Sequence, residues 1–297
     1  MCSRVNTGSH TATTRVTTTN QIHVTIAEST QVQIPTGSSS YALGVLYLGQ
    51  WPILDRDDET LDVITAHKQK SSNDFLVPSV MIMAIIGEQI NRYVEDNKAQ
   101  KIGDIDLVTD RYPVWKLEQG IGLAKTPIGA PAALILMENL IQRGAKKIIA
   151  VGSCGTLHDF EEGEFLVPVR ALRDEGASYH YLEAARWITT NPMINDAVTQ
   201  AINTAGFQAK PVTTWTTDGF YRETEQMIAH RREEGCDVVE MECSAFAACA
   251  NFRNIAFGQL LFTADSLAEV DYQPRGWGVG VHAAALSLAH DAAKLIA

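Results

Sequence analysis

Two glutamates separated by a single residue stand out in an apolar segment of the chain. Glu240 and Glu242 flank Met241, follow two valines and precede a run that predicts a buried helix. Residues two apart on an extended backbone point to the same side, so this pair could accept the hydrogen bonds of a vicinal diol, as in a sugar. Their charge could also stabilise a developing oxocarbenium ion. The alternative is helix capping, because acids are favoured at the start of a helix, and spacing alone favours capping.

Asp265 and the turn "VGSCGTL" (residues 151–157) are two further candidates. An acid at Asp265, near the end of an apolar run, could protonate a leaving group, or it could cap a helix beginning at "DSLAE". Small residues in the turn would let backbone amides approach an anion, with the Ser153 hydroxyl as an added donor. The alternative is an ordinary loop after a strand.

Three other side chains have weaker signals. Phe220 and Tyr221 could stack on a base or belong to the core. His180, which lies between two tyrosines, could contact a substrate or be a surface histidine.

The composition of the chain disfavours several classes of binding partner. The chain of 297 residues has a formal net charge of −11, which disfavours nucleic acid and anionic membrane surfaces. No apolar run approaches the roughly 20 residues that span a bilayer. The five cysteines show no CxxC spacing. We therefore expect a cytoplasmic protein without a disulfide framework or a metal site.

The order of predicted elements indicates an α/β fold. Residues 1–38 are rich in Thr and Ser and predict a flexible tail, and residues 39–297 predict one domain. Within it, strands alternate with helices, which indicates three α/β/α layers around a mixed, mostly parallel sheet. The segment 75–96 predicts an amphipathic helix. Ligands bind at the carboxyl ends of such strands, so the candidate residues could converge on one cleft.

Five segments, taken in order, resemble the nucleoside phosphorylase family of the trimeric or hexameric type. The resemblance covers about residues 40–297, and the segments include the turn, the Glu-Met-Glu segment and the Asp265 segment described above. In chain order the five segments are "KTPIGAPAALILMENLIQRGAKKIIAVGSCGTL", "EFLVPVRALRDEGASYHYL", "TTDGFY", "VVEMECSAFAACA" and "TADSL".

The resemblance implies a role for each acid. Glu242 would accept hydrogen bonds from the ribose 2′- and 3′-hydroxyls, with Met241 packed against the sugar and Glu240 supporting this ribose site. Asp265 occupies the position where purine enzymes keep an acid that assists protonation of N7. Glu242 and Asp265 are thus the implied catalytic residues.

The resemblance also implies which residues form the base and phosphate parts of the site. Val239 and Phe220 would line the base pocket together with Asp265. Gly152 and Ser153 would hold phosphate. The implied activity is that of a pentosyltransferase, which converts a uridine or purine nucleoside to free base and ribose-1-phosphate. Phosphate is then the co-substrate, no cofactor is needed, and a homo-oligomer between a dimer and a hexamer is expected.

Two departures from the family pattern leave alternatives open. Ala150 stands where the family keeps a phosphate-binding arginine, and the early Gly-Asp-Pro-x-Arg element is not visible. Arg222 or Arg275 could supply the missing charge. A nucleosidase that uses water is one alternative, although the arginine of that group is Leu261 here. A non-catalytic nucleoside-binding protein is the other.

Overall fold

The computed structural model describes five stretches of the chain, and its contacts divide the chain into two units, residues 1–62 and 63–297. The first unit contains an antiparallel sheet of four short strands in the order β1-β2-β3-β4. These strands are β1 His23–Thr25, β2 Thr30–Gln33, β3 Val45–Leu48 and β4 Arg56–Asp57. The described stretches are 23–25, 30–33, 45–64, 75–268 and 272–297.

The two strands β1 and β2 fall inside the predicted tail, so regular backbone pairing is present there. The other residues of 1–38 lie outside the described stretches. The predicted boundary between residues 38 and 39 stays a prediction.

The second unit is built on a ten-stranded mixed sheet, which confirms the predicted α/β class. Parallel pairing joins β8, β5, β9 and β14, and antiparallel strands extend the sheet at both ends. The strands are β5 Val80–Ile85, β6 Gln100–Asp106, β7 Arg111–Lys116, β8 Gly122–Lys125, β9 Lys147–Thr156, β10 Phe165–Asp174, β11 Trp187–Thr189, β12 Lys210–Thr217, β13 Val238–Glu240 and β14 Ala256–Ser266.

Five of these strands close into a ring. β9 pairs with β14, β14 with β10, β10 with β12, β12 with β13, and β13 returns to the end of β9. One buried apolar side chain from each strand fills the interior, so the ring is packed rather than hollow. These five residues are Cys154, Leu166, Val212, Val238 and Leu261.

Helices cover both faces of the sheet. Ile149 and Val151 of β9 face one apolar cluster, with α1, α3 and α6, and the alternate residues Ile148 and Ala150 face a second cluster, with α2 and α5. Within the described stretches, no helix is both long and apolar enough to cross a membrane. The helices are α1 Gln89–Asp96, α2 Ala130–Gln142, α3 Pro192–Thr204, α4 Glu225–Glu233, α5 Cys243–Phe252 and α6 His282–Ile296.

Two local predictions were wrong. The segment 75–96 is not one helix, because Val80–Ile85 forms a buried strand between β8 and β9 and only Gln89–Asp96 is helical. The expected loop after Gly152 is also absent, because β9 continues to Thr156. Pairing with β13 holds these last residues in the extended conformation.

The close approach of α3 to β14 generates a test of the packing. A Cβ added at Gly258 would lie 2.5 Å from Ile194 Cγ2 and 2.9 Å from Ile194 Cβ. We expect Gly258→Ala to lower the free energy of unfolding by about 1–3 kcal/mol, because the branched isoleucine cannot move aside. Urea denaturation measures this, with Gly87→Ala as the control, since nothing lies within 4 Å there. Equal stability of the two variants would contradict this packing.

Candidate active site

Glu240 is a buried acid whose carboxylate is fully engaged. One oxygen accepts hydrogen bonds from Thr214 Oγ1 (3.2 Å) and Thr216 Oγ1 (2.6 Å) of β12. The other accepts the backbone N–H groups of Glu242 (2.8 Å) and Cys243 (2.7 Å), where α5 begins. The capping interpretation is therefore confirmed for Glu240, which fixes the backbone that carries its neighbours.

Glu242 is held differently. Its Oε1 accepts the backbone N–H of Gly129, the residue before α2. Gly129 has φ +90°, a conformation that favours glycine. Burial raises the pKa of Glu242, and the nearby Glu240 carboxylate raises it further. The side chain also lines a cavity beside Met241.

This inner cavity brings together most of the residues that the sequence pointed to. It has a volume of about 110 Å³ and lies at the carboxyl end of the ring of strands. Gly152 adjoins this wall in β9 but is not one of the lining residues. The lining residues predicted from the sequence are Ser153, Phe220, Val239, Glu240, Met241, Glu242 and Asp265.

A wider outer cavity of about 570 Å³ continues from the inner one, since four residues line both. This volume is typical of small-molecule sites. Its walls carry four aromatic side chains that are exposed to solvent: Phe220, Tyr221, Tyr272 and Trp277. The residues shared by the two cavities are Phe220, Glu223, Asp265 and Trp277.

Asp265 lies in strand β14, so the N-cap interpretation is wrong. The register of β14 against β9 shifts between Thr263 and Asp265, which sets Asp265 opposite Gly155. A Cβ at Gly155 would lie 3.2 Å from Asp265 Oδ1. Burial raises the pKa of Asp265, while the Tyr272 hydroxyl and the charge of Arg275 lower it. The aspartate is therefore a partly desolvated acid at the junction of the two cavities.

Glu223 and Trp277 are among the lining residues that sequence reasoning missed. Glu223 follows the turn Phe220–Arg222 and lacked a signal, because it resembles any acid at the start of a polar helix. Burial and the charge of Asp265 raise the pKa of Glu223 to about 7. Trp277 was also missed, although the glycines in "RGWGVG" could have indicated an unusual backbone.

The segment that carries Trp277 is strained. Arg275 and Trp277 have φ of 47° and 54°, unusual for residues other than glycine. Glu162 holds this segment, since its Oε1 accepts the backbone N–H groups of Gly276 (2.9 Å) and Gly278 (3.0 Å). Such strain persists only where the surroundings impose it, and it is frequent at functional sites.

The basic side chains that were candidates for the site lie in different surroundings. His180 and Arg222 are exposed and are not among the residues lining either cavity. Arg275 acts on Asp265 electrostatically, and within the described stretches its buried Nη1 has no hydrogen-bond partner. Ala150 is fully buried on the α2 and α5 side of the sheet and is not one of the lining residues.

Comparison with known proteins assigns the chain to a family. Residues 82–293 match the family model of the phosphorylase superfamily. The chain belongs to the phosphorylase superfamily. This result confirms the resemblance seen in the sequence, because the matched range contains all five motifs.

The curated relatives that match this chain are distant from it in sequence. A guanosine phosphorylase of Halorubrum lacusprofundi is 26% identical over 46% of this chain and 58% of its own length. A uridine phosphorylase of Haemophilus influenzae is 28% identical over 36% of this chain and 43% of its own length. The chain thus matches about two fifths to three fifths of the length of these relatives.

Solved structures share the fold. Purine nucleoside phosphorylase from Toxoplasma gondii superposes with a TM-score of 0.63 at 23% identity, covering 73% of this chain and 90% of that one. AMP nucleosidase from Bacteroides thetaiotaomicron gives 0.62 at 22% identity, covering 74% and 89%. Phosphorylase and nucleosidase chemistry therefore occur on folds similar to this one.

The buried Glu242 generates a prediction about stability and pH. Its pKa is higher in the folded chain than in the unfolded chain, so the folded state binds the proton more tightly. The free energy of unfolding should therefore decrease as pH rises above about 4.5. Glu242→Gln removes this titration, and we expect it to stabilise the protein at pH 8 by on the order of 1 kcal/mol.

Urea denaturation between pH 5 and pH 8 measures the effect of this substitution. The exposed Glu233 provides the matched control, because Glu233→Gln removes the same charge outside the cleft. If both variants keep the pH dependence of the wild type, Glu242 is not the group responsible.

Proposed function

We propose that the chain is a nucleoside phosphorylase, which transfers the pentosyl group of a nucleoside to phosphate. One observation carries the proposal: Glu242, Ser153 and Asp265 line the same inner cavity. They provide an acceptor for sugar hydroxyls, a donor to an anion and an acid for a leaving base. Membership of the superfamily and the names of the relatives support the same reaction type.

The proposed reaction assigns one task to each group. The bond between C1′ and the base nitrogen breaks, and its electron pair goes to the base while the acid protonates N7. A phosphate oxygen forms the new bond to C1′, and the phosphate proton passes to solvent. Between these events the sugar has oxocarbenium character, and Glu242 holds the sugar through its hydroxyls. The aromatic walls of the outer cavity would hold the base.

The acid favours a purine over uracil, since protonation at N7 requires a purine. No cofactor enters this reaction, and phosphate is the co-substrate. A cytoplasmic location and a homo-oligomer between a dimer and a hexamer remain part of the proposal.

Hydrolysis by a nucleosidase is the second candidate, because the described residues that line the two cavities include no lysine or arginine. A phosphate dianion is held most strongly by charge-assisted hydrogen bonds. Arg275 is the cation that the phosphorylase reaction would need: it is not among the lining residues, but its charge acts on Asp265 and its Nη1 has no hydrogen-bond partner within the described stretches.

Product analysis separates the two reactions. We expect purified protein, incubated with inosine, adenosine, guanosine, uridine and methylthioadenosine, to release base and ribose-1-phosphate (or its 5-methylthio analogue) only when phosphate is present. Chromatography of base and sugar products measures this. Free ribose released at equal rates without phosphate would establish hydrolysis instead. No release from any nucleoside would contradict both reactions for these substrates.

Substitution of the arginines tests how phosphate is held. We expect Arg275→Ala to raise the KM for phosphate at least about tenfold, because a charge-assisted hydrogen bond contributes roughly 1.5–3 kcal/mol. Arg222→Ala should change this KM less than about twofold, since the Arg222 side chain is exposed to solvent, where a charge contributes little. Steady-state kinetics at varied phosphate measures both values. An unchanged KM in Arg275→Ala would remove Arg275 from the phosphate site.

A further inference from the structure

Trp277 lines both cavities, and its backbone has a conformation that needs a restraint. Arg275, Trp277 and Gly278 all have positive φ, at 47°, 54° and 63°. Residues other than glycine disfavour this region, so a free chain with these side chains would relax to negative φ. The indole therefore keeps its place in the cleft wall only if the surrounding structure holds the short segment 275–278.

The side chain of Glu162 supplies that restraint. Its Oε1 accepts the backbone N–H groups of Gly276 (2.9 Å) and Gly278 (3.0 Å), the two residues that flank Trp277. A carboxylate acceptor makes such bonds stronger than those between neutral groups. Glu162 is itself exposed and is not among the residues that line either cavity. A side chain outside the cleft thus holds the backbone of a residue that forms its wall.

The chain around Glu162 is anchored to strand β14. The backbone N–H of Gly163 bonds to the carbonyl oxygen of Thr263 (3.0 Å), and that of Glu164 bonds to Thr263 Oγ1 (3.0 Å). Thr263 returns its own N–H to the carbonyl oxygen of Glu164 (3.0 Å). Thr263 lies in β14 two residues before Asp265. The carboxylate of Glu162 is therefore fixed relative to the strand that carries the acid of the site.

Close packing against β14 limits how the segment 275–278 can move. A Cβ added at Gly278 would lie 2.7 Å from the ring of Phe262 and 3.3 Å from the carbonyl oxygen of Thr263. The segment thus rests directly on the strand and has no space to move further inward. Loss of the bonds to Glu162 would let it move only away from β14, and the Trp277 indole would move with it.

We infer that Glu162 is a positioning residue for ligand binding, which fixes the Trp277 indole against the base. The inference rests on the proposed function and adds a residue remote from the ligand to the site. An indole offers a large apolar face on which a nucleobase can stack. Preorganisation strengthens such binding, because a ring that must first be ordered loses part of the stacking free energy.

Fluorine NMR of the full chain, labelled with 5-fluorotryptophan, tests the restraint without any ligand. The chain has five tryptophans, and the resonance that disappears in Trp277→Ala belongs to Trp277. We expect Glu162→Ala to shift or broaden this resonance, because the segment that carries the indole is released. The other four resonances should stay unchanged, which shows that the variant is folded. An unchanged Trp277 resonance in folded Glu162→Ala would overturn the inference.

Calorimetric titration with adenine, hypoxanthine and uracil measures the consequence for binding. For the base that the wild type binds most tightly, we expect Glu162→Ala to lower the affinity at least about fivefold, as for loss of one stacking aromatic ring. Glu162→Gln should stay within about twofold of the wild type, because its amide oxygen can accept the same two N–H groups. An unchanged affinity in Glu162→Ala, an equal loss in both variants, or no binding of any base by the wild type would overturn the inference.

A double-mutant cycle assigns the effect to the indole. Trp277→Ala should lower the affinity at least as much as Glu162→Ala, and the combined variant should lose no more than Trp277→Ala alone. Additive losses would overturn the inference, since Glu162 would then act on a different part of the site. Glu161→Ala is the matched control, because it removes the neighbouring exposed acid. It should leave the Trp277 resonance and the affinities unchanged.

The same experiments separate failure of the inference from failure of the proposed reaction. Base binding that depends on Glu162 and Trp277, without cleavage of any nucleoside, would reject the reaction and keep the positioning role. Phosphate-dependent cleavage, with a base affinity that Glu162→Ala leaves unchanged, would keep the reaction and reject the positioning role.

Discussion

The hydrogen bonds of the buried Glu240 are the constraint on which the rest of the cleft depends. One carboxylate joins the hydroxyls of two threonines in β12 to the first amides of α5. Burial of that carboxyl group is tolerated only because every contact is made, since an unpaired carboxylate in the core costs several kcal/mol. The bonds therefore fix where the backbone turns from β13 into α5. Met241 and Glu242 lie at that turn, so their position in the cavity follows from a neighbour that does not itself need to touch a ligand.

The sequence was sufficient to predict most of the elements that form the cleft, but it did not predict all of the residues that line it. The order of motifs was sufficient for the fold, and the acids at 240, 242 and 265 were visible as polar residues in apolar surroundings. The strand at Val80–Ile85 was not predicted, because a strand buried on both faces has no alternation to distinguish it from a helix. Glu223 was not predicted because its place in the lining is a property of the folded cleft. The bulge that places Asp265 opposite Gly155 likewise arises from pairing between distant strands.

Ala150 and Leu261, which stand where related enzymes keep an arginine, are both part of the packed interior. Ala150 lies in the cluster beneath α2 and α5, and Leu261 is one of the five side chains inside the ring of strands. A charged side chain at either place would have to be paired or to reach out of an apolar cluster. The positive charge near Asp265 comes instead from Arg275, on a loop that was not aligned with any motif. Charge at the cleft is thus supplied from a different element while the sheet keeps an apolar core.

Gly155 lies at a position where the surrounding residues leave no space for a side chain. A methyl group there would lie 2.8 Å from Leu267, 3.1 Å from Val239 and 3.2 Å from the carboxylate of Asp265. Its backbone is ordinary, so the restriction comes from space alone. During sequence divergence this position is therefore expected to remain glycine as long as the aspartate is selected. Loss of the glycine in a homologue would then mark a lineage in which the acid has been moved or abandoned.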